Sequence, residues 1–193
     1  MKAQEWLLDF VTFYRKLHFF EQHANLSDDE LLNWLKIQLF PYDTRGDFDA
    51  SNSWKEDYLF IGFDFSRVWT TSFDAYEGYL YEFQCLHEYI LHGWAKISRG
   101  AFLLQDITVT WESEITPILI NFSLDGIPQY IQLQPDDFYE TSTLLKLAQA
   151  INPLISTSRY QYVIWDYFPA ASVLVLTLEE KRIIEAERGY MLT

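Results

Sequence analysis

Residues 118–133 read ILINFSLDGIPQYIQL, and this stretch decides the fold of the second half of the chain. Asp125-Gly126 suits the centre of a two-residue type I′ turn, because both central positions of that turn need a positive φ. Pairing Leu124 with Ile127 around the turn fixes the register. Four further cross-strand pairs follow, the first two on one apolar face: Ile120–Ile131, Ile118–Leu133, Asn121–Tyr130 and Leu119–Gln132. The sequence therefore predicts an antiparallel β-hairpin.

Other strands are predicted on both sides of this hairpin. Residues 106–112 alternate with period two, which places Ile107, Val109 and Trp111 on one face of a sheet. Residues 160–167 and 172–177 are rich in β-branched and aromatic side chains and are separated by 169–171. These two segments are predicted to pair as a second hairpin.

Helices are predicted from apolar spacings of three and four residues over 5–20, 76–97 and 137–151. Two capping boxes, Ser27…Glu30 and Thr177…Glu180, predict the starts of further helices that run to about Leu39 and Gly189. Residues 41–53 favour a surface loop. Residues 54–73 are ambiguous, with a strand favoured, because Phe60–Phe65 partly alternates like a strand while the length also permits a helix.

The order of these elements predicts an α+β fold. N-terminal helices lead into a mainly antiparallel sheet of order β-β-β-α-β-β-α, with helices covering it. We expect 1–193 to form a single domain. A sub-boundary near residue 100, between a mainly helical 1–100 and a sheet-containing 101–193, is the alternative division.

The chain has 193 residues, with 28 acidic against 14 basic side chains and a net charge of −14. This charge opposes the phosphate contacts that supply most nucleic-acid affinity, and an anionic membrane surface would repel it. No apolar run approaches the roughly 18 residues of a membrane-spanning helix. We therefore expect neither a nucleic acid nor a membrane as a partner.

Cysteine usage and the N-terminal sequence bear on the compartment. Cys85 is the only cysteine, which excludes an intramolecular disulfide and a thiolate zinc cluster. Met1–Trp6 turns acidic and aromatic at once and lacks a signal-type apolar core. These features predict a cytoplasmic protein.

No pattern of catalytic chemistry stands out. His87 and His92 are five residues apart, whereas a helix that binds one zinc ion through two histidines spaces them by four. We interpret Glu88 and His92 as an exposed ion pair and Cys85 as an inert thiol. No nucleophile elbow, phosphate-binding loop or dinucleotide fingerprint occurs. We expect no catalytic residue, no metal site and no cofactor.

The charge distribution supplies a candidate site instead. No basic residue occurs between Arg99 and Lys146. Asp106 and Glu112 are expected to share the polar face of their strand with two threonines, which gives that region a negative field that favours capture of a basic protein. The 43–57 loop is a second candidate contact. The candidate partner-binding residues are the acids Asp106, Glu112, Glu114, Asp125, Asp136 and Asp137.

Three segments, 94–100 (WAKISRG), 106–112 (DITVTWE) and 176–180 (LTLEE), carry a resemblance that covers roughly 94–192. The chain resembles the small bacterial immunity-type proteins that accompany secreted polymorphic toxins. The resemblance implies a cytoplasmic, non-catalytic protein that blocks one cognate toxin domain, often a basic nuclease, through an acidic surface. It assigns no functional residue.

Two other functions remain open from the sequence. The first is a small-molecule-binding module or enzyme whose pocket is lined by aromatic side chains. The second is a homo-oligomeric structural subunit in which some of the 13 tyrosines and 7 tryptophans cover a self-association surface. A deep polar pocket would favour the enzyme, and a flat acidic face would favour the inhibitor; the sequence leaves the oligomeric state open.

Overall fold

The computed structural model describes residues 3–39, 53–72, 83–113, 115–135, 141–167 and 170–193. The chain divides into two compact units, Met1–Val68 and Trp69–Thr193. Helices and antiparallel strands occur together, so the α+β class is confirmed. Whether the whole chain is one domain stays a prediction, as does the boundary near residue 100. Within the described residues, no helix is long and apolar enough to cross a membrane.

The first unit contains the helices α1 (Ala3–Lys16), α2 (Asp28–Leu39) and α3 (Ser53–Ile61), with a short 3₁₀ turn at Glu21–His23. Phe10 lies at the centre of its core, with ring centroids 4.7 Å from Tyr14 and 5.5 Å from Phe60. Helix α2 starts at the predicted capping box: Ser27 N–H donates to Glu30 Oε2 at 2.8 Å, and Glu30 N–H donates to Ser27 Oγ at 3.3 Å.

Arg15 holds the segment between α1 and α2 in place through hydrogen bonds. Its Nη1 bonds Asp28 Oδ1 at 2.7 Å, and its Nη2 donates to the carbonyls of His23 and Leu26, both at 2.7 Å. Thr12 Oγ1 donates to the other carboxylate oxygen of Asp28 at 2.7 Å. Arg15 thus holds the start of α2 against the end of α1 through charge-assisted bonds.

The second unit holds two three-stranded sheets, with strand orders β1-β6-β5 and β2-β3-β4. From β2 onward the element order is β-β-β-α-β-β-α, as predicted; β1 and α4 precede it. Its elements are β1 (Val68–Ser72), α4 (Phe83–Ile97), β2 (Leu104–Thr110), β3 (Ile118–Leu124), β4 (Ile127–Leu133), α5 (Thr141–Leu154), β5 (Tyr160–Tyr167), β6 (Ala170–Thr177) and α6 (Leu178–Arg188).

The predicted central hairpin is confirmed in every pair. Leu124 pairs with Ile127, and the pairing continues to Ile118 with Leu133. The turn residues Asp125 and Gly126 have φ of 52° and 75°, as a type I′ turn requires. The inner face of β3 is buried throughout, whereas Asn121 and Tyr130 point to the exposed face.

Aromatic rings fill the core below this hairpin. The ring of Phe102 lies 5.7 Å from Phe122 and 6.0 Å from Tyr162, and Tyr162 lies 4.7 Å from Trp94. The hydroxyl of Tyr162 donates to the carbonyl of Trp94 at 2.8 Å. Burial raises the pKa of this phenol far above its usual value, so the hydroxyl stays neutral and acts as a donor.

Strands β5 and β6 are buried along most of their length. Alternate residues such as Ile164 and Val173 face the core that α4 and α5 also line. Helix α6 packs along β6, starts at the predicted Thr177…Glu180 capping box and ends at Gly189, whose φ is 73°. After it, Tyr190 stacks on Trp165 at 4.8 Å.

Of the segment 54–73, which the sequence left open, residues 54–72 form α3 and β1 with turns between them, and residue 73 lies outside the described residues. The alternation of Phe60–Phe65 is not a strand, because Phe60 and Ile61 complete α3 and the following residues turn around the buried Asp64. Helix α1 ends at Lys16 rather than near Phe20, and Pro153 lies inside the last turn of α5.

Gly93 in α4 lies against the indole of Trp69, and we expect Gly93→Ala to lower the free energy of unfolding by about 1–3 kcal/mol through overpacking. A Cβ at Gly93 would lie 2.3 Å from Trp69 Nε1 and 2.5 Å from Trp69 Cδ1. In a Trp69→Leu background the same change is expected to stabilise by up to about 1 kcal/mol, since alanine is the better helix former. Urea unfolding of the four proteins measures both effects. Stabilisation by Gly93→Ala alone would contradict this packing.

Asp28→Asn is expected to destabilise the chain by about 0.5–1 kcal/mol at pH 7, a value discounted for solvent exposure. Partial burial would raise the pKa of Asp28, but hydrogen bonds from Thr12 and Arg15 and the charge of Arg15 hold it below its ordinary value of 3.8. A carboxylate whose pKa is lower in the folded chain than in the unfolded chain stabilises the folded state at pH values above the unfolded-state pKa. This contribution disappears as the pH falls through the folded-state pKa. The gap between wild type and variant should therefore close below about pH 4. Urea unfolding across pH tests this, with Asp29→Asn, on the neighbouring exposed carboxylate, as the control that loses less.

Candidate functional site

The exposed side of the sheet β2-β3-β4 is a platform without charged side chains, which we call the neutral face. The cross-strand register aligns its side chains in three rows of three. The rows are Gln105–Ser123–Pro128, Thr108–Asn121–Tyr130 and Thr110–Leu119–Gln132. Tyr130 donates its hydroxyl proton to Gln132 Oε1 at 2.7 Å, which orients the most prominent side chain of the platform.

A β-bulge at Asp106 interrupts β2. Gln105 pairs with Ser123 and Thr108 with Asn121, so Asp106 and Ile107 together oppose one residue of β3. Asp106 has a φ of 50°, in the left-handed region that aspartate tolerates better than most residues. The extra residue lets Leu104 and Ile107, three positions apart, both pack against the core.

The bulge corrects one expectation. Asp106 does not share a regular strand face with Thr108 and Thr110, because it lies outside the period-two alternation. Glu112 lies beyond the end of β2 at Thr110. The polar face of the strand is therefore formed by uncharged side chains, and the acids lie around it.

The three described acids of the candidate site are exposed but do not form one cluster. Asp125 is in the hairpin turn, and Asp106 lies near the same end of the sheet, since Leu104 pairs with Leu124. Glu112 lies at the other end, about 20 Å from Asp106 along the strand direction. Three further candidates, Glu114, Asp136 and Asp137, lie outside the described residues. The described acids thus flank the neutral face.

These acids have no neutralising neighbour within the described part of the chain. Among the residues that the structure describes, no ion pair or hydrogen bond from another side chain reaches Asp106, Glu112 or Asp125. The sequence also has no lysine or arginine between Arg99 and Lys146. The ends of the platform therefore carry uncompensated negative charge.

The second candidate contact, the 43–57 loop, is only partly described. Residues 43–52 lie outside the described ranges, and 53–57 form the first half of α3. Asp57 is fully buried and accepts a hydrogen bond from Tyr14 at 3.1 Å. The prediction of a surface loop is wrong for residue 53, the first residue of α3, and Asp57 at least is not available to a partner.

Three buried charged residues of the first unit were not predicted from the sequence: Asp57, Asp64 and Arg67. Asp64 Oδ2 accepts the Phe20 N–H at 2.7 Å, and Oδ1 accepts the Ser66 hydroxyl at 2.6 Å. Arg67 donates to the carbonyl of Leu17 and lies 4.2 Å above the ring of Phe19. Asp64 and Arg67 thus hold the turn after α1, where Phe20 has a φ of 60°, so we assign them a structural role.

Two histidines and the single cysteine of the chain lie on α4. His87 is buried, and His92 Nε2 lies 3.7 Å from Glu88 Oε1 in the predicted i,i+4 arrangement. The side chain of Cys85 lies outside the described part of the chain. Within the described residues, no three His, Cys, Asp or Glu side chains are grouped so that they could hold a metal ion.

A row of aromatic rings on the first unit was also not predicted. His23 lies 4.2 Å from Trp34, Trp34 lies 6.3 Å from Phe63, and Phe63 lies 6.5 Å from Phe65. Phe65 is 71% exposed. These residues come from separate segments, so only the folded structure brings them together.

No protein-family model, curated protein or solved structure matches the chain. The neutral face and the acids at its ends are therefore the features of the described structure that bear on function.

The left-handed backbone at Asp106 predicts an unusual order of stabilities. Asp106→Gly should keep or raise the free energy of unfolding, by up to about 1 kcal/mol, because glycine adopts a positive φ without strain. Asp106→Val should lower it by about 1–2 kcal/mol, since a β-branched side chain is strained there. Thr108→Val, on the regular part of the same strand, is the control and should be neutral or stabilising. Urea unfolding measures all three; a harmless valine at 106 would contradict the bulge.

Proposed function

We propose that this chain is a non-catalytic binding protein that captures a cationic protein on the neutral face and on the acids at its two ends. One observation supports the proposal most: Asp106, Glu112 and Asp125 are exposed and have no ion pair among the described residues. A cationic partner would supply the compensating charge.

The chemistry of the platform suits protein recognition. Its hydroxyl and amide side chains can exchange hydrogen bonds with a partner, and no charge has to be desolvated when the face is covered. Tyr130 projects from the centre of β4, and tyrosine is a residue type enriched at protein interfaces and among their energetically dominant residues. The centre of the surface would therefore supply affinity.

The acids at the ends would act on the rate of association. Charges at the rim of an interface mainly change the association rate and its salt dependence, because solvent and ions screen them in the complex. At about 0.15 M salt the field decays over about 8 Å, so Asp106, Glu112 and Asp125 would orient a partner during the last part of its approach.

The resemblance to immunity-type proteins gives the proposal its finer form, in which the cationic partner is a toxin domain. Occlusion of such a domain needs no catalytic residue in this chain. It needs an interface of about 1,600 Å² that covers the partner's active surface.

The triple variant Asp106→Asn, Glu112→Gln and Asp125→Asn is expected to slow association with the cationic partner about tenfold at low salt. Asparagine tolerates the left-handed φ at positions 106 and 125, so the fold is retained. The partner is first recovered from a native cell lysate at low salt and identified by mass spectrometry. Association rates are then measured by stopped-flow fluorescence at several salt concentrations.

The control for this test removes three exposed acids elsewhere on the chain, through Asp29→Asn, Glu179→Gln and Glu187→Gln. Its net charge equals that of the first triple variant, so it separates position from total charge. Equal association rates for the two triple variants would refute the site. Failure to recover any cationic protein in near-equal amount would refute the proposed function.

A further inference from the structure

The type I′ turn determines which backbone groups of β4 face away from β3. In a two-residue hairpin, Leu124 and Ile127 form a hydrogen-bonded pair, and such pairs alternate with non-bonded pairs along the strands. Tyr130, opposite Asn121, and Gln132, opposite Leu119, fall on non-bonded pairs. Their N–H and C=O groups therefore point to the outer edge of the sheet.

This outer edge of β4 is open as far as the described residues show. No backbone hydrogen bond from Tyr130 or Gln132 to another described residue occurs outside the β3–β4 ladder. No fourth strand of the described sheet lies beyond β4, because the strand order is β2-β3-β4. Tyr130 is 56% exposed and Ile127 is 61% exposed, so solvent reaches the strand.

Two other sheet edges in the same unit are protected. On β5, Tyr162 N–H donates to Asn152 Oδ1 at 2.8 Å, and Asn152 Nδ2 donates to the Tyr162 carbonyl at 2.9 Å. Ile164 exchanges both of its outer hydrogen bonds with Thr193. On β2, the bulge at Asp106 breaks the regular edge. Bulges and coverage are two of the means by which proteins prevent edge-to-edge pairing.

The open edge also lacks the charges that usually keep edges apart. Residues 127–135 (IPQYIQLQP) contain no charged side chain, in a chain of which 22% is charged. Charged residues on an edge strand are a common device against pairing. Two copies of β4 can therefore approach each other without placing like charges opposite one another within the strand.

We propose that β4 pairs antiparallel with β4 of a second copy of this chain, which joins the two β2-β3-β4 sheets into one six-stranded sheet. In the favoured register, Tyr130 of each copy lies opposite Gln132 of the other, and the two-fold axis passes between the two Ile131 residues. Each of the two Tyr130–Gln132 pairs exchanges two backbone hydrogen bonds, so the contact forms four. Pairing Tyr130 with Tyr130 is the poorer register, because it sets Pro128, which has no N–H, opposite Gln132.

The two copies would each carry a net charge of −14, so salt should favour the dimer. This dependence is opposite to that of the proposed capture of a cationic protein, which salt weakens. The paired surface is one strand edge and is smaller than a standard interface, so the dimer is expected to dissociate at low micromolar concentration.

Sedimentation equilibrium of the full chain tests the proposal between about 1 μM and about 300 μM, the range expected for an interface below the standard size. At about 0.5 M salt the mass should rise with concentration from the 23.0 kDa of one chain toward twice that value. At about 0.05 M salt the rise should be smaller. A mass of one chain throughout would overturn the proposal and leave the proposed function intact.

Gln132→Pro removes one outward N–H from the edge and should raise the dissociation constant of the dimer at least about tenfold. Gln132→Ala removes the same side chain but keeps the N–H, so it is the matched control and should dimerise like the wild type. Pro128 occupies an equivalent outward position in the native strand, which indicates that the fold accepts proline at outward positions of β4. Equal dimerisation of the two variants would refute pairing through this edge.

Hydrogen exchange of the wild-type chain gives a second test that depends on no variant. The amides of Tyr130 and Gln132 should become protected as the concentration rises at high salt, whereas the amide of Ile131, already bonded to β3, should change less. A concentration-dependent mass without protection at these two amides would place the contact elsewhere and overturn the proposal.

Discussion

The arrangement of the sheet β2-β3-β4 depends on two consecutive positive φ angles, 52° at Asp125 and 75° at Gly126. They close the hairpin with two residues, and this sets which residue of β4 lies opposite each residue of β3. A slip of β4 by one residue against β3 would turn Ile131 to solvent and bring the neighbouring polar positions of β4 toward the core. The same register decides which amides bond within the sheet and which point outward. The core, the neutral face and the open edge thus follow from one turn.

The second sheet shows what full burial requires of polar groups. Strand β5 lies at the edge of its sheet, and residues 162–165 are buried, so water cannot satisfy the outer backbone groups there. Asn152 and Thr193 supply and take up the missing hydrogen bonds. Sheet β2-β3-β4, with one face exposed, does not need the same closure. This difference in burial explains why the outer edge of β5 is covered by other residues whereas the sheet β2-β3-β4 keeps one face exposed.

Much of the fold could be predicted because its signals are local. The Asp125-Gly126 turn, the Ser27 and Thr177 capping boxes and the α4 periodicity each depend on residues close together in the chain. The bulge at Asp106 and the buried Asp64 could not be predicted, because each is determined by distant contacts. For the candidate site, the sequence identified the acids, but packing of Leu104 and Ile107 moved Asp106 out of the strand alternation and left a neutral face between the acids.

Asn152 acts toward β5 as a single residue of an additional strand, since its side chain both accepts from and donates to Tyr162. Among the standard side chains only asparagine and glutamine carry an amide with both functions, and glutamine is longer by one methylene. Aspartate would lose the donor, and leucine, of similar shape, would lose both. We therefore expect relatives of this protein to retain asparagine at position 152, where one helical side chain closes the edge of β5, even where the surface strands have diverged.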